Sequence, residues 1–453
     1  MPRSRRQVLA TLGGAALGAA PLLSAISAAA APAAPVTATR APRAPRQAGG
    51  PAPAGGEDGI PVQGRALPGL ESIDQVMRSF VDSHSLVGAS LAVVSGGALK
   101  LARGYGHAEV QPDRPMLART PMLLASVSKV MTAQTILKLV DQGRISLDER
   151  VFPHFAALRP PPGRRVDPRL DEITVAMCLW HTGGWNRKVT PLAGPQQVRR
   201  ALRLNREPTP LDFIAYQKGV PLDFAPGTQQ AYSNFGFVLL GALLAKIADR
   251  PYPEVVQATT LGPADVAGMR IDPSAPEYLP GEAHRYTPPM DHAVPGGHPL
   301  MTMAAGGWMA SAVELVRLMS AIDGSRTGTA WLTPATTQAM LSPAPGIQRP
   351  DGAAWFGLGW DRVQAFPAGG AGGAGGPGGA NASGPRCSYC KGGDLPGIWT
   401  HLAHLAIGVD YALLVNSSGE EGEKQLMGPL EEALRAVPSW PQGDLFQEFA
   451  SGG

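Results

Sequence analysis

The sequence is poor in charge. Only 17% of its 453 residues are Asp, Glu, Lys or Arg, and the net charge is +3. That scarcity excludes a coiled coil and a long acidic or basic tail. Cysteine occurs three times, as a lone Cys178 and as Cys387 and Cys390 in a C-x-x-C. A zinc pair needs two further ligands at suitable spacing, and none is evident. A redox C-x-x-C opens a helix after a strand, whereas this one follows a Gly-rich run and precedes Lys391-Gly392-Gly393. A local disulfide or two idle thiols remain as readings. There is no G-x-S-x-G, no H-E-x-x-H and no P-loop, so the hydrolase elbow, the zincin helix and the phosphate cradle have no support. The G-x-G-x-x-G at Gly370 to Gly375 lies in a Gly-rich run with no strand before it. No internal repeat is visible.

Glycine and proline are abundant instead. They total 101 residues, or 22%, against a usual ~12%. The glycines show no three-residue period, which excludes collagen. Part of the excess lies at the front. Ser4-Arg5-Arg6-Gln7-Val8-Leu9 is a twin-arginine pattern, followed by a weakly apolar Ala/Gly-rich run to about Ala31. A charged start, an apolar stretch and small residues predict a signal peptide over residues 1–31, with a cleavage site near Ala28-Ala29-Ala30. The expected location is periplasmic or secreted. Residues 32–62 are Ala, Pro or Gly at 20 of 31 positions. Such a segment cannot bury enough apolar surface to offset its ordering entropy, so it predicts a disordered tether. A similar Gly-rich insertion spans 368–385. Residues 1–62 carry a net +4 and the remainder −1. The basic balance therefore belongs to the leader and implies no nucleic-acid partner. No stretch after the leader is long and apolar enough to span a bilayer.

Residues 63–442 predict one folded domain, with a tail over 443–453. Glu71–Ser83 has helical periodicity. Ala89–Ser95 and Ala98–Tyr105 are apolar runs joined by Gly96-Gly97, a hairpin signal. A helix-rich stretch runs from about Ser126 to Ile322. Strands are expected at Trp355–Trp360, Gly397–Ala406 and Tyr411–Asn416, then a last helix near Gly422–Val437. Strands at both ends of a helical middle predict an α+β fold. Its mostly antiparallel sheet is covered on one face by the first and last helices, with an inserted helical region.

S-x-x-K occurs twice, at Ser126–Lys129 and Ser388–Lys391. On a helix, positions i and i+3 share a face, so the lysine can reach the serine hydroxyl and help remove its proton. Serine needs such activation to be a nucleophile. Only the first copy opens a convincing buried helix, which Gly143 stops. The second runs into Gly392-Gly393-Asp394-Leu395-Pro396, which cannot be helical. Tyr232-Ser233-Asn234 is the only Y-x-N, and it stands in a loop before an apolar helix over residues 237–247. A tyrosine whose pKa is lowered by nearby cations can shuttle protons. Lys391-Gly392-Gly393 precedes an expected strand, where a lysine adds positive potential and backbone N–H groups can hold an oxyanion.

S-x-x-K, Y-x-N and then K-G-G, in this order, resemble the penicillin-recognising serine hydrolases. The nearest branch is the class C β-lactamase, D-Ala-D-Ala carboxypeptidase and family VIII carboxylesterase group. Leu179-Trp180-His181-Thr182-Gly183-Gly184, Ala305-Gly306-Gly307-Trp308, Phe356-Gly357-Leu358-Gly359-Trp360 and Gly393-Asp394-Leu395-Pro396-Gly397 resemble further segments of that family. The resemblance covers about residues 69–438. It implies the β-lactamase/DD-peptidase-like fold, no cofactor, and a small ester, amide or peptide substrate cleaved through an acyl-enzyme. It makes Ser126 the nucleophile and Lys129 its activator. Tyr232 becomes the general base and acid, and Asn234 orients Lys129 and the substrate. Lys391 lowers the Tyr232 pKa and attracts a substrate carboxylate. Gly392, Gly393 and Asp394 line the substrate strand, with the N–H groups of Ser126 and Asp394 as the oxyanion hole. His181 is read as structural. K-G-G lacks the threonine hydroxyl of K-T-G, which favours an esterase- or peptidase-like activity over a true β-lactamase. A non-catalytic peptidoglycan- or ligand-binding relative is the reading from another class.

Overall fold

Gly96 and Gly97 both adopt left-handed φ, 59° and 76°. Two such residues in succession close a tight hairpin turn whose twist suits its strands. The turn joins β2 (Gly88–Ser95) to β3 (Ala98–Glu109). The computed structural model describes residues 59–271, 277–288, 290, 292–297, 299–366, 386–417 and 422–449. The expected signal peptide, most of the tether and the Gly-rich insertion lie outside the described residues.

The main sheet also contains β1 (Val62–Ala66), β7 (Arg362–Phe366), β8 (Arg386–Leu395), β9 (Ile398–Leu405) and β10 (Val409–Val415). Its order is β1-β3-β2-β10-β9-β8-β7, and every neighbouring pair is antiparallel. A short β4 (Arg114–Pro115) pairs with the end of β3, and β5 (Met122–Leu123) pairs with β6 (Met309–Ala310). The first and last thirds of the domain thus meet at β2–β10, in the middle of one sheet.

Strand β2 is buried along its whole length, because both faces of the sheet are covered. Side chains alternate across a strand. Ala92, Val94, Ala412 and Leu414 enter one core, and Leu91, Val93, Tyr411 and Leu413 enter the other. The second core is closed by α1 (Glu71–Ser83) and α11 (Gly422–Arg435) through Ile73, Met77, Leu426 and Leu430. First and last helices do cover one face, as the pattern predicts.

The other face carries the helical region. Helix α2 (Ser128–Asp141) is buried on nearly all sides and ends before Gly143, whose φ is 65°. After it come α3 (Val175–Leu179), α4 (Pro195–Leu202), α5 (Pro210–Gln217), α6 (Asn234–Ala248) and α7 (Tyr252–Val256). Three more follow: α8 (Met303–Gly306), α9 (Ala312–Ile322) and α10 (Pro334–Leu341). No helix of the described residues is long and apolar enough to cross a membrane.

Two sequence expectations need correction. Trp355–Trp360 is not a strand: Trp355 makes a lone bridge to Val363 and the strand begins at Arg362. Gly359, at φ 88°, turns the chain against α2, where a Cβ would come within 2.4 Å of the Ala133 methyl. Lys391-Gly392-Gly393 does not precede a strand but lies inside β8, because pairing with Leu402, His401 and Thr400 of β9 overrides the weak strand propensity of glycine. Cys390 is a free thiol, and the side chain of Cys387 lies outside the described residues. Val62 opens β1 opposite Tyr105, and in the tail Leu445 and Phe446 are buried in the core.

Leu413 is fully buried in the central strand between α1 and α11. Leu413→Ala should destabilise the domain by about 2–5 kcal/mol, read as a lower denaturant midpoint with an unchanged slope.

Candidate active site

The site forms where the turn before α2 meets strand β8. Ala125 takes a left-handed φ of 48°, a conformation that costs a non-glycine residue about 1–2 kcal/mol. Its neighbours hold it there. The Leu124 N–H donates to the Trp308 carbonyl at 2.8 Å, and the Thr400 hydroxyl donates to the Leu124 carbonyl at 2.8 Å. The strained turn sets Ser126 in a short 3-10 segment directly ahead of α2.

Two predicted residues converge on Ser126. The Lys129 ammonium donates to its Oγ at 3.0 Å, and the Tyr232 hydroxyl donates to it at 2.6 Å. Lys129 also donates to the Ala305 carbonyl at 2.6 Å. That carbonyl belongs to α8, which Thr132 steadies by donating to the Ala304 carbonyl at 2.7 Å. The Lys391 ammonium lies 5.0 Å from the centre of the Tyr232 ring, and Lys129 lies 5.1 Å from it. Both lysines are fully buried.

Electrostatics follow from that crowding. Burial lowers the Lys129 pKa to about 8, with the Lys391 charge adding to the effect and Tyr232 opposing it. Burial alone would raise the Tyr232 phenol, but the two ammonium groups outweigh it and hold the pKa below the usual value. Burial would lower Lys391, but Asp361 and Tyr232 outweigh it and raise its pKa. Lys391 therefore stays charged while Lys129 can shed a proton near neutrality.

The glycines of β8 play distinct parts. A Cβ on Gly393 would come within 2.4 Å of the Thr400 hydroxyl, 2.5 Å of the Leu124 carbonyl and 2.9 Å of the Ser126 nitrogen. Only glycine lets the strand approach the nucleophile this closely. A Cβ on Gly392 would meet open space. The Gly392 N–H donates to Asp361 on the β7 side at 3.3 Å. N–H groups alternate in direction along a strand, so the Asp394 N–H faces the same edge. Strand β7 pairs with β8 only as far as Cys390, which leaves that edge open beside Ser126.

Asn234 opens α6 and is partly exposed, and the described hydrogen bonds of Lys129 go to Ser126 and Ala305. His181 packs beside Tyr232. Its Nδ1 accepts from the Ser233 N–H at 3.2 Å, and its ring lies 4.6 Å from that of Tyr232. Burial, reinforced by the charges of Lys391 and Lys129, holds its pKa well below the usual value, so it positions Tyr232 as a neutral ring.

Asp361 escapes sequence reasoning. One of its oxygens pairs with Lys391 at 2.5 Å and the other accepts from Gly392. Its signal is its place directly after Phe356–Trp360. That becomes readable once β7 is registered against β8, since Arg362 opposes Cys390 and Asp361 therefore stands next to Lys391.

A second titratable group lies elsewhere. The ligand atoms of Asp323, His404 and Asp410 lie within 4.8 Å of one another. Burial would lower His404, but bonds to Asp323 and Asp410 outweigh it and raise its pKa to about 10. Its Nδ1 lies 2.7 Å from Asp410 and 3.4 Å from Asp323, which ties the three side chains into one cluster.

A model of the beta-lactamase family matches residues 73–423, more than three-quarters of the chain. The chain belongs to the beta-lactamase family. It is 28% identical over 284 residues to the D-alanyl-D-alanine-carboxypeptidase/endopeptidase AmpH of Escherichia coli strain K12, covering 60% of this chain and 68% of AmpH. Two FimD proteins of Dichelobacter nodosus, serogroups D and H1, are 27% and 26% identical. Those matches cover 40% and 55% of this chain but span only 43% and 60% of the relatives' own length. A solved class C beta-lactamase superposes with a TM-score of 0.62 at 20% identity, over 81% of this chain and 96% of that one. That likeness establishes the β-lactamase/DD-peptidase fold, an α+β architecture around an antiparallel sheet.

Gly393→Ala tests the close approach. Its methyl should displace the Ser126 turn and slow hydrolysis of a p-nitrophenyl ester about 100-fold or more. Gly392→Ala, which faces open space, should leave the melting temperature unchanged.

Proposed function

We propose that this chain is an exported serine hydrolase that cleaves an ester or amide through a Ser126 acyl-enzyme, with esterase- or peptidase-like activity. The observation that carries this reading is the double hold on one hydroxyl: Ser126 Oγ lies 3.0 Å from the Lys129 ammonium and 2.6 Å from the Tyr232 hydroxyl. AmpH, named for carboxypeptidase and endopeptidase activity, supports the peptidase-like side. The twin-arginine pattern at Arg5-Arg6 supports export.

Each step follows from the side chains present. Loss of the phenol proton reverses the bond between Tyr232 and Ser126, so that the serine donates to the phenolate. The serine proton then passes to Tyr232 as Oγ attacks the substrate carbonyl. The new oxyanion meets the N–H groups of Ser126 and Asp394 at the open edge of β8. Tyr232 returns its proton to the leaving group, and the acyl-enzyme forms. In the second half, Tyr232 takes a proton from water, which attacks the ester, and then returns it to Ser126 Oγ. Lys129 and Lys391 stabilise the phenolate throughout, while Asn234 borders the cleft two residues after Tyr232.

An acylating probe tests the nucleophile. Mass spectrometry should find one adduct on the wild type and none on Ser126→Ala; the same adduct on both would refute the mechanism. A panel of p-nitrophenyl esters, a chromogenic cephalosporin and a D-Ala-D-Ala peptide then sorts the substrate class, with turnover expected on esters or peptide ahead of the cephalosporin.

The pH profile is a separate test. The base must be deprotonated, and both Tyr232 and Lys129 have lowered pKa values, about 8 for Lys129. Activity should therefore rise from pH 6 towards pH 8. An optimum near pH 5 would contradict the assignment.

A further inference from the structure

Helix α6 is apolar except for Asn234 and Lys246. Val238, Gly241, Ala242 and Ala245 recur along it at the spacing of a single helical face. At Gly241 that face meets α8 directly, since a Cβ there would come within 2.3 Å of the Ala304 methyl. Beside this contact the same face lines a cavity of about 830 Å³. Protein interiors hold few voids larger than a water molecule, whereas small-molecule sites run from about 300 to 1,000 Å³. Met303 and Ala304 of α8 and Tyr252 of α7 form the facing walls, and the half-exposed Leu211 of α5 stands at the edge. None of Ser126, Lys129, Tyr232 and Lys391 lines this space.

The charges around the cavity balance. His154 and Arg250 line it, but the first is bonded to Glu149 at 2.6 Å and the second to Glu254 at 3.2 Å. The exposed Lys246 and Asp249 line it too, with opposite charges three residues apart. No excess charge draws an ion to this rim, and an ion set against apolar walls loses its hydration without return. The walls and the rim together fit an uncharged molecule.

The far side of the same wall is the floor of the active site. The Tyr252 hydroxyl accepts from the Trp308 indole at 2.8 Å and lies 2.7 Å from the Thr132 hydroxyl. Thr132 donates to the Ala304 carbonyl at 2.7 Å, so Tyr252 is left as the donor to Thr132. The next carbonyl along, that of Ala305, accepts from the Lys129 ammonium at 2.6 Å. Lys129 and Thr132 stand three residues apart on one face of α2. An occupant packed on Met303 and Ala304 therefore bears on the segment that holds Lys129.

We propose that this cavity is a second binding site, that it takes an uncharged apolar small molecule, and that α8 couples its occupancy to Lys129.

Fluorescence titration tests both parts, with uncharged N-phenyl-1-naphthylamine and its sulfonated relative 1-anilinonaphthalene-8-sulfonate as probes. The wild type should bind the neutral probe in a single site, about fivefold or more tightly than the sulfonate. Ala242→Trp fills the space and should weaken the neutral probe about tenfold or more, with the melting temperature kept. Ala245→Glu sets a carboxylate in the same wall and should weaken it to a similar degree. Lys129→Met lies outside the cavity but removes the bond to Ala305, and should change the affinity for the neutral probe about fivefold. No binding of the neutral probe, a preference for the sulfonate, or binding that survives either wall variant would overturn the site. An affinity unchanged by Lys129→Met would overturn the coupling. None of these titrations needs turnover, so the acylation experiment on Ser126 decides the hydrolase reading separately.

Discussion

Two buried ammonium groups face one phenol, and the rest of the site is arranged to make that tolerable. Lys129 and Lys391 each lie about 5 Å from the Tyr232 ring, out of water. Burying like charges together is costly unless each is paired or hydrogen-bonded. The protein resolves the conflict asymmetrically. Lys391 receives a carboxylate, Asp361, and keeps its proton. Lys129 receives only neutral oxygens, those of Ser126 and Ala305, and its pKa falls to about 8. One lysine thus becomes a fixed charge and the other an exchangeable proton store, which is what a tyrosine base beside a serine requires.

The fold delivers these groups from four separate places. Ser126 and Lys129 come from the start of α2, Tyr232 from the loop before α6, Lys391 from β8 and Asp361 from the residue before β7. The turn at Ala125 and the glycine at 393 bring the first and third of these into contact. The first is a local exception to ordinary backbone preference, and the second is a place where no Cβ fits. The strain at Ala125 is held by its neighbours, namely Thr400 bonded to the Leu124 carbonyl and Trp308 to the Leu124 N–H.

Legibility varies along the chain for physical reasons. Helix α1 and the β2–β3 hairpin are readable because periodicity and paired glycines are local signals. The region around residue 357 reads falsely as a strand because its apolar residues alternate with glycines, which here serve a close approach to α2. Strand β8 is hidden for the opposite reason: Lys-Gly-Gly has little strand propensity, and only pairing with β9 makes it a strand. Asp361 is silent in the sequence because its partner lies thirty residues on, across a strand pair that no local pattern announces.

Order and spacing along the chain point to the class of chemistry proposed above. S-x-x-K at a buried helix start, a single Y-x-N and a later K-G-G leave few reactions open, since reach along a helix or a strand is set by the chain. The leader-like front and the near-neutral charge of the remainder are likewise written in the residues themselves. Which charges are free is another matter, and only packing answers it. Lys391 and Arg187 are both cations in the sequence, and nothing in their order distinguishes them. Folding buries one against Asp361 and leaves the other exposed beside Tyr232, because pairing depends on which strand edges and loops meet in space.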